Sequence, residues 1–422
     1  MYALIDGNTF YASCERVFQP YLRHLPVVVL SNNDGCIVTL TKEAKRLGLK
    51  RGTPLFQVKE IIDRNNVQVF SSNYELYEDM SARMMRTIAS LVPEIEVYSI
   101  DECFADVSGL GNLTQLGHEI QARVLKWIGI PTCVGIAPTK TLAKLCNHIA
   151  KTYPSLKGVF NWEELTPARQ TKALSTIPVK DIWGIGTQLS TKLNLLGIET
   201  ALDLKNADST LIRKQLGVVL LRTQTELRGI PAIPFEPKPP ARQQICCSRS
   251  FAKNCYEIDE VLSALAVHVS HACRRLRKQK SRCQTVTVFV YSNVFNANDT
   301  QHAIHESFTL KYPTADTGKI TTLVTLLVRQ AFKTGIGYKK AGVILSDLTS
   351  EDEPYMVDLF DAPEVVDDRR EKLMAVLDTL ENRFGKNVLY TGMSALSDSA
   401  SMRRDSLSRC YSTRLEDVLV VT

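Results

Sequence analysis

Asp101 and Glu102 stand side by side in EVYSIDECFADVSG, residues 96–109. Around them Val97, Tyr98, Ile100, Cys103, Phe104 and Val107 form the apolar, β-branched pattern of a half-buried hairpin. An Asp-Glu pair at a hairpin bend has a plain reading as turn chemistry. A third carboxylate supplies another. Asp6 ends YALID, residues 2–6, which reads as a short strand. If the two strands are neighbours in one sheet, three carboxylates meet at one edge. Such a cluster repels itself unless cations are supplied. Oxygen ligands of this kind suit a small hard cation, Mg²⁺. Two such ions about 3.5–4 Å apart can hold both the attacking and the leaving oxygen of a phosphoryl transfer.

The elements that must position these groups follow from the spacing of apolar residues. Gly7 follows Asp6, and Asn8 or Thr9 can cap a helix start. PVVVLS, 26–31, reads as a buried strand, and TKEAKRLG, 41–48, as a helix closed by Gly48. From Asn73 to Leu91, Tyr77, Met80, Met84, Ile88 and Leu91 recur in steps of three and four, an amphipathic helix. After the hairpin at 96–107 come a helix near 113–128, a strand near 132–137 and a helix over 139–151. Strands alternating with helices, plus one hairpin, predict an α/β sandwich of the ferredoxin-like kind. Residues 170–230 read as all-helical. PAIPFEPKPPARQQ, 231–244, has five prolines and reads as a stiff linker between domains. Beyond it lie a helix near 257–278, a strand at 283–292, a helix near 318–334 and a strand at 341–348. Residues 351–368 carry eight acids and no base, which predicts a mobile segment around the apolar island YMVDLF, 355–360.

The chain has 422 residues, enough for two to four domains. Its eleven cysteines include no C-x-x-C pair, which argues against a disulfide framework or zinc site and fits a reducing cytoplasm. The start, MYALIDGNTFYASCE, lacks a signal-peptide pattern, and LPVVVL falls far short of the about 20 residues of a membrane span. The net charge of +6 is unevenly spread: residues 245–348 carry +7, 349–422 carry −6 and 1–244 carry +5. A basic patch beside an acidic tail suits a partner with a phosphate backbone.

DGNTFYASCE beside Asp6, YSIDECFADVSG around Asp101, GIAPTKTLAKLCNHIAK at 135–151 and IWGIG at 182–186 together resemble the Y-family of translesion DNA polymerases. SNNDGC, 31–36, and FSSNYELYEDMS, 70–81, are similar to the UmuC-type catalytic subunits of bacterial DNA polymerase V. The resemblance spans essentially the whole chain. It implies a multidomain α+β right-handed polymerase: a ferredoxin-like palm at 1–20 and 75–168, fingers at 21–74 and a helix-hairpin-helix thumb at 169–230. The linker, 231–244, leads to an α/β little finger at 245–348 and an acidic partner-binding tail at 349–422. It also implies a DNA-directed DNA polymerase of the SOS response, nucleoid-associated when engaged, in which a primer 3′ hydroxyl attacks the α-phosphate of a dNTP. Asp6, Asp101 and Glu102, with the carbonyl of Gly7, would hold two Mg²⁺ ions. Phe10, Tyr11, Lys45 and Lys151 would meet the nucleotide, Tyr11 clashing with a 2′-hydroxyl and Lys151 meeting the β/γ-phosphates. Lys42 and Lys45 stand where the family pattern is Tyr-x-x-Arg, so Lys45 offers a point charge rather than a fork.

By the same resemblance, Gly184 and Gly186 would grip the DNA backbone in the thumb. Arg274, Arg275, Arg277, Lys278, Lys280 and Arg282 would do so in the little finger. Val357, Leu359 and Phe360 resemble the end of a sliding-clamp peptide, with Met356 where Gln is usual. A cleaved UmuD-type dimer and a RecA filament are implied partners, and residues 370–422 are candidates for holding the first. Two other readings remain open: a non-catalytic DNA-binding scaffold of the same fold, and a nucleotide cyclase on a similar palm-like sheet.

Overall fold

The computed structural model describes residues 1–296, 299–353, 368–385 and 402–420, together with Leu389 and Gly392. It divides into two compact units, Met1–Pro239 with Asp405–Thr422, and Pro240–Arg404.

The first unit begins with β1 (Tyr2–Gly7), α1 (Phe10–Phe18), β2 (Val27–Leu30), β3 (Ile37–Leu40), α2 (Lys42–Arg46), α3 (Lys59–Arg64) and β4 (Gln68–Ser71). It continues with α4 (Tyr74–Ala89), β5 (Glu94–Val97), β6 (Glu102–Asp106), α5 (Leu113–Ile128), β7 (Thr132–Ala137), α6 (Lys140–Thr152) and β8 (Val159–Asn161). The helices α7 (Pro167–Thr176), α8 (Thr187–Leu195), α9 (Ala201–Asn206) and α10 (Ser209–Leu227) complete it.

β1 lies at the centre of a five-stranded sheet ordered β5-β6-β1-β7-β8. Its alternating side chains serve two cores, because successive residues of a strand point to opposite faces. Ala3 and Ile5 pack with Met80 and Met84 of α4 and Ile120 and Val124 of α5. Leu4 packs on the other face with Phe104 and with Leu142 and Cys146 of α6. Gly135 of β7 lets α6 come close. A Cβ there would fall 2.2 Å from the Asn147 backbone nitrogen and 2.3 Å from the Ala143 carbonyl oxygen. The sequence VGIA in the middle of β7 thus fixes the height of α6 above the sheet.

β3, β2 and β4 form a separate small sheet over Val28, Leu30, Ile37, Leu40 and Ile62. The helices α7–α10 share the α6-side core through Leu174, Leu193, Leu204 and Leu220. α10 is two helices joined at Gly217, whose φ of 87° only glycine adopts freely. The buried Glu226 carboxylate ties it to α6 by accepting from the Thr141 N–H at 2.8 Å, where the helix dipole favours an anion.

The second unit holds β9 (Ile245–Cys255), α11 (Ile258–Lys278), β10 (Ser281–Ser292), β11 (Ala303–Thr314), α12 (Thr317–Ala331), β12 (Tyr338–Ser350) and α13 (Asp368–Phe384). Its antiparallel sheet is ordered β11-β10-β12-β9. Val286, Val288, Ala341, Val343 and Leu345 point into a core shared with Leu262, Leu265 and Val269 of α11 and Val324 and Val328 of α12. The alternate residues of the same strands point away from that core. β12 runs longer than the expected 341–348 because its ladder to β10 continues from Tyr338 to Ser350.

The acidic tail does not act as one body. α13 belongs to the second unit, whereas Asp405–Thr422 belongs to the first. YMVDLF, with Val357, Leu359 and Phe360, lies outside the described residues.

Candidate active site

Asp6 stands directly opposite Glu102 in the β1–β6 ladder. Directly opposed residues put their side chains on the same face. The Gly7 N–H donates to the Asp101 carbonyl at 2.7 Å, which closes the hairpin turn against the end of β1. Residues 6, 101 and 102, remote in the sequence, therefore meet at one end of one sheet. Asp101 Oδ1 accepts a hydrogen bond from the Ser99 hydroxyl at 2.6 Å. Burial pushes the Asp6 carboxyl up to about 6; Lys151 pulls it down, and the charges of Asp101 and Glu102 push it up again.

A row of lysines on α6 answers these carboxylates. Lys144 Nζ lies 3.0 Å from Glu102, Lys151 Nζ 2.6 Å from Asp6, and Lys140 pairs with Glu96. Steps of four and seven along a helix return to nearly the same face. Glu96, Glu102 and Asp6 sit on the consecutive strands β5, β6 and β1, on the face that α6 covers. Lys140 is only 1% exposed and also lies over the Phe104 and Phe235 rings. Lys144 lies 4.1 Å from the Tyr98 ring centre and 4.9 Å from that of Trp183. Lys140, Lys144 and Glu96 did not emerge from the sequence. Their signal was the lysine spacing in KTLAKLCNHIAK, which needs the sheet partner to gain meaning. Lys151, expected at the phosphates of a nucleotide, is here the partner of Asp6.

The donor set suits Mg²⁺. All three side chains offer hard carboxylate oxygens, and the half-buried Asp6 carboxyl is raised further by the charges of Asp101 and Glu102. Among the described residues no three His, Cys, Asp or Glu side chains are drawn together in ligand geometry. Two of the three carboxylates are instead neutralised by α6 lysines.

The start of α1 adjoins this edge. Its N-cap, Thr9, sits in the left-handed region at φ 46° and ψ 48°, a costly place for a β-branched residue, and no side chain caps the helix. Phe10 is 3% exposed and belongs to the core, so its ring offers a nucleotide no surface. Tyr11 is half-buried. Its ring stacks on Tyr77 at 4.4 Å between centres and meets Tyr74 edge-on at 6.3 Å. Burial pushes the Tyr11 phenol up to about 12. The Tyr77 hydroxyl donates to Glu15 Oε1 at 2.7 Å.

Residues 5–148 match the impB/mucB/samB family, and residues 242–359 match the C-terminal domain of that family. Over its whole length the chain is 44% identical to the whole of Protein UmuC of Salmonella typhimurium. The chain belongs to the impB/mucB/samB family of Y-family DNA polymerases. It is also 28% identical to a DNA polymerase IV of Desulfatibacillum aliphaticivorans, over 91% of this chain and 94% of that one. A solved "Y-family DNA polymerase chimera Dbh-Dpo4(243-245)-Dbh" shares the fold, with a TM-score of 0.66 at 22% identity over 83% of this chain and 99% of that one. Residues 371–421 match a "Domain of unknown function (DUF4113)".

Three of the six basic residues expected to grip DNA in this Y-family chain are engaged otherwise. Arg277 makes two 2.7 Å bonds to the Asp378 carboxylate. Arg274 lies 2.8 Å from Glu381, and Arg282 lies 3.5 Å from Glu371. All three acids are on α13, so these arginines hold that helix. Arg275, Lys278 and Lys280 are exposed. The strand residues that point away from the helices include Ser248, Thr285, Thr287, Ser307, Thr309 and Lys340. Thr285 bonds Thr309 at 3.2 Å, and Thr287 bonds Ser307 at 2.8 Å. That hydroxyl-lined face carried no sequence signal, because it depends on the register of four strands.

In the first unit, Gly184 adopts φ 84° in an exposed turn, and Gly186 is the N-cap of α8. The preceding Trp183 indole N–H donates to the Tyr98 hydroxyl at 3.1 Å, which links this turn to the carboxylate edge. Lys45 is exposed on α2.

Glu15 gives this unit a pH dependence of stability. Burial pushes its carboxyl from 4.5 up to about 7, against the opposing pull of hydrogen bonds from Tyr77 and Ser408. Above about pH 4.5 the unfolded chain has lost this proton while the folded one keeps it. Stability attributable to Glu15 therefore falls as pH rises towards 7. The whole effect is roughly 3 kcal/mol. The expected outcome is that Glu15→Gln gains on the parent in thermal unfolding between about pH 5 and about pH 8. A constant difference between the two proteins over that range refutes it.

Proposed function

We propose that this Y-family DNA polymerase copies damaged templates in the SOS response, transferring dNMP from a dNTP to a primer 3′ hydroxyl with two Mg²⁺ ions. The observation that carries this reading is the meeting of Asp6, Asp101 and Glu102 at one sheet end beside the start of α1. When bound, the ions supply the positive charge that steadies the attacking and leaving oxygens. Asp6, Asp101 and Glu102 hold them, with the Gly7 carbonyl beside. The uncapped N–H groups of α1 face the triphosphate, since a helix start favours an anion. Lys151 and Lys45 add point charges for its phosphates. Phe10 contributes its main chain rather than its ring. The Tyr11 ring lies under the sugar and leaves no room for a 2′-hydroxyl.

The DNA backbone is held without reading its sequence. The Gly184–Gly186 turn and the start of α8 serve one contact. The hydroxyl-lined face of the second unit's sheet serves another, and Arg275, Lys278 and Lys280, at and just beyond the end of α11, offer a separate cluster of positive charge. Phosphate contacts of this kind give affinity that weakens with salt and carries no base preference. On resemblance alone, a cleaved UmuD-type dimer remains the expected partner of the tail, a RecA filament a further partner of the protein, and a sliding clamp the partner of Val357, Leu359 and Phe360. No helix among the described residues is long and apolar enough to cross a membrane, and a site in the cytoplasm at the nucleoid suits a DNA-copying enzyme.

The test is primer extension by the full chain on an intact template and on one with an abasic site, with Mg²⁺. Extension past the lesion that EDTA abolishes is the expected result. Binding of the primer-template without extension in any metal would leave a DNA-binding scaffold.

A further inference from the structure

Residues 405–414, inside the stretch that matches a domain of unknown function, run back across the first unit beside α4. Each anchor is specific. The Asp405 N–H donates to Asp34 Oδ2 at 2.8 Å, and Ser406 and Ser71 exchange two bonds, at 2.9 and 3.0 Å. Asn73 Nδ2 donates to the Ser408 carbonyl and hydroxyl, both at 3.1 Å, and to the Arg409 carbonyl at 3.2 Å. The Cys410 side chain is buried, and Tyr411 stacks on Phe18 at 4.9 Å. Arg414 pairs with Glu75 at 3.1 Å.

These anchors converge on the start of α4. Asn73 is its N-cap, with Oδ1 accepting from the Leu76 N–H. Tyr74 and Tyr77, in the first turn, are the two rings that flank Tyr11. A second route reaches the same rings from below. The Ser408 hydroxyl donates to Glu15 Oε1 at 2.9 Å, the oxygen that also accepts from the Tyr77 hydroxyl. Glu15 is fully buried, and its other oxygen has no partner. Two donors thus share one acceptor, so a change at Ser408 is felt by Tyr77 and by the ring stacked on it.

We propose that Ser408, through Glu15 and Tyr77, positions the Tyr11 ring, making the C-terminal strap a determinant of sugar discrimination at the nucleotide site. The proposal rests on Tyr11 being the sugar gate. Ser408 touches no substrate; it is a positioning residue. A hydroxyl bonded to a buried carboxylate restricts the tyrosine that bonds the same carboxylate, and the stack passes that restriction to Tyr11. Relaxing it lets the gate tip away from a 2′-hydroxyl without disturbing a deoxyribose.

The experiment measures kcat/KM for ribo- and deoxyribonucleotide insertion by the full chain on a primer-template. The variants are Ser408→Ala, Ser408→Thr, Tyr77→Phe and Tyr11→Ala. Ser408→Ala and Tyr77→Phe are expected to raise the ribo/deoxy ratio by about threefold to tenfold while deoxynucleotide insertion changes by under about twofold. Ser408→Thr restores the parent ratio. A purely structural strap would lower both substrates together and leave the ratio alone, which overturns the proposal. If Tyr11→Ala raises the ratio and the other two variants do not, the relay is wrong while the gate stands. If Tyr11→Ala itself changes nothing, the gate reading falls and the relay with it.

Discussion

Asp101→Asn is expected to lower primer extension by at least ~10³-fold, because losing one charged ligand removes several kcal/mol of transition-state charge stabilisation. The substitution keeps the size and the hydrogen bond from Ser99, so the hairpin turn is retained. The backbone bond from Gly7 to the Asp101 carbonyl is untouched as well. Affinity for primer-template should stay within about twofold, since backbone phosphates are gripped by other groups. The decisive pair of measurements is single-turnover insertion and equilibrium DNA binding on the same preparation. Insertion within about tenfold of the parent would remove Asp101 from the catalytic machinery.

The second large effect is at Tyr11. Tyr11→Ala should raise ribonucleotide insertion relative to deoxynucleotide insertion by ~10²-fold, the range expected when one steric contact is all that separates two substrates. It also removes the ring stacked on Tyr77 at 4.4 Å. That loss should cost about 1–3 kcal/mol of stability in the first unit. Tyr11→Phe separates the two effects. It keeps the stack and the ring that blocks the sugar, so both selectivity and stability should remain near those of the parent. A Tyr11→Phe enzyme as permissive as Tyr11→Ala would show that the hydroxyl, not the ring, discriminates.

Much of the site was legible because its residues are constrained locally. Asp6 ends an apolar strand and Asp101–Glu102 sit at a hairpin, so both are visible as carboxylates where apolar residues belong. α4, α5 and α11 follow from steps of three and four. The lysines of α6 were half legible. Their spacing marks one face of a helix, yet the acids they meet lie on three other elements. Charge density alone did not show that, within RRLRKQKSR, Arg274, Arg277 and Arg282 pair with acids of α13. A basic run pairs with any well-placed carboxylate, and acids carried on a helix of the same chain are held at high effective concentration.

The sequence by itself determined which chemistry is present: three carboxylates of the right kind, a tyrosine at a helix start, and helices and strands whose apolar periods set their faces. These depend on residue type and near-neighbour spacing, which the chain carries without folding. Only the tertiary structure decided the pairings: Lys151 on Asp6, Arg277 on Asp378, and Ser408 on Glu15, 393 residues away. Each is a hydrogen bond or ion pair between groups with many possible partners. The choice among those partners is made when strand register, the approach of α6 over Gly135 and the return of the C-terminal strap bring two side chains to within about 3 Å.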